Sequence, residues 1–520
     1  MAQIPRTDGG HGGYARYALA VLLLVYVFNF LDRQIPAILA ERIKADLDVG
    51  DAELGYLYGT AFAVFYALLG IPLGRLADVW DRRRLIAIGL AFWSAMTVVS
   101  GFAWSFAQLA LARVGVGVGE ASATPAAYSL LSDYFPPARR ATVLAIYSSG
   151  IYLGSGLGIV LGGVVVDRWD TAFASAPAPL GLRGWQAAFI AAGLPGLLLA
   201  AGVARLREPR RGEGDDLSSP REPRPWSAFL AELSAVTPPF TLLNLWRLRA
   251  GPRRLAANGA GAALLALAAS ALTKALGDPA QWWSLAIGLY AALSWAQALS
   301  LRDAPGAALI LGTPSLRYAG LGFACLSFSG YGLLFWSPSF FVRFHGLPLE
   351  RAGLVVGGAA ALGGWLGVTL GGLLADRLRR VSAVGRIRVG LLNAVFAVPL
   401  ALAMLWTKGA ELAFAVSLLL FASAALWLGP AASTVQDLVL PRMRALASAA
   451  LLLVVNLVGL ALGPYAVGRL SVATGDLRVA MSLCLLSNVL AGVFLLLAGR
   501  TLEVDEATRV ERAQAAGEAT

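Results

Sequence analysis

Apolar runs of about twenty residues, separated by short polar segments, recur along the whole chain. At 1.5 Å per residue, such a run crosses a bilayer's hydrocarbon core as a helix, so each predicts a membrane span. Runs at 15–36, 54–76, 85–106, 108–133, 142–166 and 185–204 form a first group of six. The stretch 205–254 is different: Pro209, Pro220, Pro223 and Pro225 stand among many charges, which predicts a polar linker with one amphipathic piece near 226–233. Runs at 255–276 and 282–301, joined by a turn holding Lys274, Gly277, Asp278 and Pro279, predict a transmembrane hairpin that returns the chain to its starting side. Six more runs follow, at 316–342, 352–375, 387–406, 412–436, 445–467 and 477–499. The expected organisation is a six-helix bundle (1–204), a cytoplasmic linker (205–254), an inserted hairpin (255–314), a second six-helix bundle (315–500) and a charged, disordered tail (501–520).

Composition narrows the class. At 58% hydrophobic and 14% charged, with mean hydropathy +0.68, the chain is an all-α membrane protein. The net charge of +11 does not point to nucleic acid, because the arginines sit in short clusters between apolar runs and no soluble basic domain carries them. His11 and His345 are the only histidines and lie far apart, so neither a metal site nor any other cofactor is expected. Cys325 and Cys484 fall inside apolar runs and read as small apolar residues. No removable signal peptide is expected, since the first fourteen residues lack a basic segment feeding an apolar core.

The two groups of six are related. Gly74-Arg-Leu-Ala-Asp78 recurs 298 residues later as Gly372-Leu-Leu-Ala-Asp376, each followed by arginines. Asp133…Pro137-Ala-Arg139-Arg140 recurs 304 residues later as Asp437…Pro441-Arg-Met-Arg444. Two motifs repeating in order predict duplicated, pseudo-symmetric halves. The arginine clusters at 82–84, 139–140, 205–254, 377–388 and 442–444 share one side, which places both termini in the cytoplasm of a bacterial inner membrane.

Ionised residues inside the runs are the candidate chemistry. A charge at bilayer depth costs at least about 2.5 kcal/mol on insertion scales, so it has a partner and a task. Asp32 and Arg33 lie in the first run, Arg113 and Glu120 in the fourth. Arg113 and Glu120 are two turns apart on one helix face, and Gly115, Gly117 and Gly119 let another helix approach between them. Asp32 and Arg33 diverge by about 100°, so only one points straight at the fourth helix; the expectation is Asp32 toward a cavity with Arg33 at its edge. Pro36 either leaves the Asp32 carbonyl free within a continuing helix or ends the helix at the outer surface. Glu120 and Asp32 are candidate proton carriers, with Arg113 or Arg33 pairing with them or with an anionic head group; the alternative is a static ion-pair network. The second half has no charge in the corresponding spans. It offers instead Phe328, Tyr331, Trp336 and Trp427, which with Asn29, Tyr56 and Tyr152 are the candidate cavity residues. A charged wall facing an aromatic one suits an amphiphile. Gly150, Gly154, Gly158 and Gly162 recur every fourth residue and predict a close-packing face.

Gly74-x-Leu-Ala-Asp78-x-x-Asp81-Arg82-Arg83 resembles the signature loop of the major facilitator superfamily, and Arg113-x-x-x-Gly117 resembles its helix-four arginine motif. Asn29-x-x-Asp32-Arg33, the acidic Asp81, Arg113-Val-Gly-Val-Gly-Val-Gly-Glu120-Ala-Ser and Gly154-Ser-Gly-Leu-Gly158 resemble the Spinster-like subfamily. That resemblance implies a major facilitator fold with an added hairpin, similar to the insertion in peptide transporters. It also implies transport of lysolipids or sphingolipids, with proton dependence in some members, and no enzymatic activity. Gln186 departs from the subfamily, which often has a basic residue there. The resemblance further implies a cytoplasmic gate built from Gly74, Asp78, Arg82, Asp133, Arg140, Asp376 and Arg377. The expected function is alternating-access, proton-linked transport of an amphiphilic, lipid-like substrate by a monomer in the bilayer. The alternative is a proton-coupled multidrug antiporter.

Overall fold

The computed structural model describes residues 8–211 and 224–518, and all of its regular elements among them are helices. The spans are α1 (Asp8–Leu47), α2 (Asp51–Val79), α3 (Arg82–Ser100), α4 (Phe106–Glu120 continuing as Ala123–Tyr134), α5 (Val143–Ala172) and α6 (Gly184–Ala204). The hairpin is α7 (Pro252–Leu276) and α8 (Pro279–Arg302). The second group is α9 (Pro314–His345), α10 (Leu349–Arg379), α11 (Gly385–Trp406), α12 (Ala410–Asp437), α13 (Leu446–Thr474) and α14 (Leu477–Ala507). Between α6 and α7 two short helices, Pro225–Val236 and Phe240–Arg247, meet at a 114° bend.

One open alternative is decided and two sequence expectations are corrected. Pro36 lies within a continuing helix: α1 runs to Leu47, and the carbonyl that Pro36 strands finds a side-chain donor, described below. The fourth is not one rod. Pro125 cannot donate to the carbonyl of Ala121, and the helix breaks between Glu120 and Ala123. The tail is not disordered over its described length: α14 runs to Ala507 and a further helix spans Arg509–Ala515, held by Glu506 on Arg379 and Glu518 on Arg442.

Glycines set the helix spacing. A Cβ on Gly158 would stand 2.6 Å from the Leu31 carbonyl oxygen and one on Gly162 2.5 Å from Ile38, so this face of α5 lies directly on α1. The other face of α5 crosses to the second half. A Cβ on Gly156 would be 2.5 Å from the Gly357 oxygen, and one on Gly357 2.6 Å from the Gly156 oxygen. The second seam joins α2 to α13, where a Cβ on Gly55 would meet the Pro464 oxygen at 2.5 Å and one on Gly59 the Leu460 oxygen at 2.7 Å. Backbone-to-backbone contact of this kind favours close approach where lipid supplies no hydrophobic drive between helices.

An ionic latch lies at the arginine-poor end of these seams. Arg343 of α9 donates to both Asp51 oxygens at 2.7 Å and to Glu41 of α1 at 2.9 Å. Lys44 and Ser471 donate to the same Asp51 carboxylate at 2.6 and 2.7 Å. Four helices, two from each half, therefore converge on Asp51, and the halves are closed at this end.

The hairpin sits over the α2–α13 seam. Tyr465 of α13 donates to Asp278 at 2.9 Å, while the Gln281 amide meets Thr60 of α2 at 2.6 Å. The two hairpin helices are joined by Asn258, which donates to Ser294 (3.0 Å) and Gln297 (2.8 Å) and accepts from Tyr290 (2.8 Å).

Candidate functional site

Two proline-modified helices bring the charges together. In α1, Pro36 leaves the Asp32 carbonyl without its helical donor, and Arg113 of α4 supplies one at 3.1 Å. In α4, the break after Glu120 leaves that side chain at the end of a half-helix. The alternating glycines let two helices in on opposite sides. A Cβ on Gly117 would meet the Phe62 oxygen of α2 at 2.6 Å, and one on Gly119 would meet Trp93 of α3 at 2.8 Å.

At the centre, Arg33 reaches Glu120. Its Nη2 donates to Glu120 Oε2 at 2.8 Å and its Nε to the same oxygen at 3.3 Å. Asn29, one turn back on the same face of α1, accepts from Arg33 at 3.4 Å. Both members of the pair are buried. Three rings surround the guanidinium, with its carbon 4.4 Å from the centroid of Phe30, 4.6 Å from Phe62 and 4.7 Å from Tyr66. Cation–π attraction of this kind is worth about 0.5–2 kcal/mol per ring, most when water is excluded. Tyr331 of α9 approaches Arg33 from the opposite half.

The expected orientations of Asp32 and Arg33 are thus exchanged. The 100° step between neighbours turns Asp32 toward Trp93 and Thr97 of α3, away from the interface between halves. Its carboxylate is fully buried and neither oxygen has a hydrogen-bond partner among the described residues. Glu120 Oε1, and Nε and Nη2 of Arg113, are likewise buried without partners. So many buried polar atoms without partners in the bilayer region mark this as the candidate functional site.

The candidate cavity residues do not form one cluster. Asn29 and Tyr331 belong to the Arg33 site, and Phe328, half-buried, lies one turn from Tyr331 on α9. Tyr152 is buried against Gly364 of α10, its hydroxyl unpartnered. Trp427 stacks on Phe323 at 5.7 Å, inside the second half. Trp336 is fully buried and donates to the Pro464 carbonyl at 2.9 Å, beneath the closed end. Tyr56 faces the hairpin, 3.5 Å from Ser284. Length and apolarity located these aromatics on spans, but their azimuth depended on packing partners that a single run does not show.

At the arginine-rich end, Arg82 pairs with Asp133 and also donates to Ser129 (2.9 Å) and to Glu208 (2.7 Å). A Cβ on Gly74 would stand 3.8 Å from Pro125 of α4, an ordinary contact. Asp78, Asp376 and Arg377 are exposed and make no ion pair among the described residues. The Arg140 side chain lies outside the described residues. The second-half counterpart of Arg82 is Arg386, paired with Asp437; each pair is 51 residues apart. That equal spacing is the signal by which Arg386 could have been found. The Asp51–Arg343 latch was also missed, because both residues sit at the edges of apolar runs where single charges read as ordinary helix ends.

The chain matches the Major Facilitator Superfamily over residues 22–464. It belongs to that superfamily. Within it the chain is Spinster-like, a transporter and a multi-pass membrane protein, not an enzyme. It is 29% identical to an MFS-type efflux pump of Mycolicibacterium smegmatis over 88% of this chain and 85% of that protein. It is 33% identical to protein spinster homolog 1 of Bos taurus over 46% of this chain, spanning 44% of that relative's length. A crystal structure of a bacterial homologue of the human lysosomal transporter Spinster, inward-facing and unoccupied, superposes with a TM-score of 0.67 at 26% identity, covering 96% of this chain and 98% of that one.

Proposed function

We propose that this superfamily member couples proton movement to transport of an amphiphilic, lipid-like substrate of the lysolipid or sphingolipid type. The observation that carries the reading is the buried Arg33–Glu120 pair, ringed by aromatics and facing a half without charge at the matching depth. When Glu120 gains a proton the pair loosens, freeing the Arg33 guanidinium for an anionic head group; losing the proton restores the pair and expels it. Phe328 and Tyr331 offer the head group's apolar neighbour a surface. Asp32, buried and unpartnered, is a second proton carrier, and Arg113 acts on α1 through the Asp32 carbonyl.

By the positive-inside rule the arginine-rich end is cytoplasmic and the Asp51–Arg343 latch faces outward, so the outward path is closed in this state. The unpaired Asp78 and Asp376 are then gate residues awaiting partners in the outward-facing state. The membrane is a bacterial inner membrane, and the transporting unit is one chain.

The similarity to an efflux pump over most of the chain favours a second reading, a proton-coupled multidrug antiporter. Proteoliposomes with an imposed pH gradient separate the two. Gradient-dependent flux of lysolipids and sphingolipids, with little flux of cationic drugs, supports the first reading. Flux of cationic drugs alone establishes the second, and gradient-independent flux of either removes the proton link.

A further inference from the structure

The elements around the site leave one surface without a partner. The bent helix pair presents Trp226, Leu230, Phe240, Leu242, Leu243 and Trp246 outward; Trp246 is 67% exposed. Directly after it come Arg247, Arg249, Arg253 and Arg254, the last two in the first turn of α7. All four are exposed, and none forms an ion pair among the described residues. The opposite side of the pair is packed: Ala235 and Leu245 are buried against Ala298 of α8, and Val236 against Trp295 and Leu299. The outward side is therefore fixed in place.

We propose that the bent pair and the base of α7 form a binding site for anionic phospholipid head groups. Exposed tryptophan and phenylalanine suit the head-group layer, where an aromatic ring has one wet and one apolar neighbour. Four exposed guanidiniums within eight residues match phosphate, which they grip through paired N–H groups. Basic clusters immediately beside a membrane span attract anionic lipid, each residue strengthening binding by about fivefold. The site is joined to the hairpin by Arg302, which donates to Glu232 (2.6 Å) and Asn244 (3.0 Å), and by Thr241, which donates to Tyr290 (3.1 Å). Through α8, whatever steadies the bent pair steadies the hairpin that lies over the α2–α13 seam.

The test uses the full chain in neutral detergent. Phosphatidylglycerol is titrated while the thermal unfolding midpoint is read, and lipid retained after purification is measured by mass spectrometry. The same is done for R247Q/R249Q/R253Q/R254Q and for a control, R317Q/R380Q, which removes exposed arginines elsewhere on that face. The expected result is a lipid-dependent rise in midpoint for wild type and control. The quadruple variant should need at least about tenfold more phosphatidylglycerol and retain less of it. An equal response in the quadruple variant would overturn the proposal. So would an equal rise with phosphatidylcholine, or with inorganic phosphate alone.

Discussion

The two halves of the molecule share their framework and differ in their charge. Pro36 in α1 has its counterpart in Pro338 of α9, and each lies inside an unbroken helix. Pro125 and Pro430 are each the third residue of the second piece of a broken helix, in α4 and α12. Arg82–Asp133 and Arg386–Asp437 repeat at one spacing. Counting back from these prolines, however, Asn29, Asp32, Arg33 and Glu120 correspond to Tyr331, Leu334, Phe335 and Ala425. What is duplicated makes the fold: helix breaks and inner-face ion pairs. What is confined to one half makes the site, because buried charge opposes stability and persists where it has a task.

The comparison breaks first at its most expensive element. Arg33→Ala would leave the Glu120 carboxylate buried and unpaired, at a cost of about 3–5 kcal/mol in thermal or chemical unfolding. The double variant R33L/E120L should recover most of that loss. Ala425→Glu, which places the carboxylate at the matching position without a guanidinium, should destabilise on the same scale; an innocuous Ala425→Glu would show that the asymmetry carries no energetic meaning.

Opening the closed end comes next. Arg343→Met removes charge-assisted hydrogen bonds to Asp51 and Glu41 worth about 1.5–3 kcal/mol each. In a chain with both cysteines replaced by serine, a cysteine at Ala52 should then react with maleimide at least about tenfold faster. Gly156→Leu overfills the α5–α10 seam, a change of about 1–3 kcal/mol, and should raise the same labelling rate more modestly. Unchanged labelling in both variants would mean that neither latch nor seam holds the halves together.

The smallest effect is at the rim. Hydrogen bonds from Arg442 hold Asp303 below the usual carboxylate range, so its folded value lies under its unfolded one. Its contribution, about 0.2–1 kcal/mol, is present above the ordinary carboxylate range and is lost as pH falls through the lowered value. Asp303→Asn should flatten stability over that acidic window, lowering it by this small amount at neutral pH and leaving it little changed below the window.

Much of this was legible in the sequence, and the limits have physical causes. Run length and the repeated Gly-x-Leu-Ala-Asp motif were enough for spans and halves, because bilayer thickness and duplication leave long-range marks. Arg33, Arg113 and Glu120 were identifiable as charges in apolar runs. Their pairing was not: the azimuth of Asp32 against Arg33 is set by α2 and α3, whose Phe62 and Trp93 fill the glycine faces of α4. Pro36 looked equally like a stop or a kink, since the donor that decides between them is Arg113, 81 residues beyond the Asp32 carbonyl it reaches. The ordered tail likewise depended on arginines in distant loops.

The proposed role of the first half's buried carboxylates as carriers of the coupled proton is tested by substrate flux in proteoliposomes against an imposed pH gradient for wild type, Glu120→Gln and Asp32→Asn. Glu120→Gln should bind substrate yet lose the dependence of flux on the gradient, with a partial loss for Asp32→Asn. Wild-type gradient dependence in both variants would contradict the proton-carrying role.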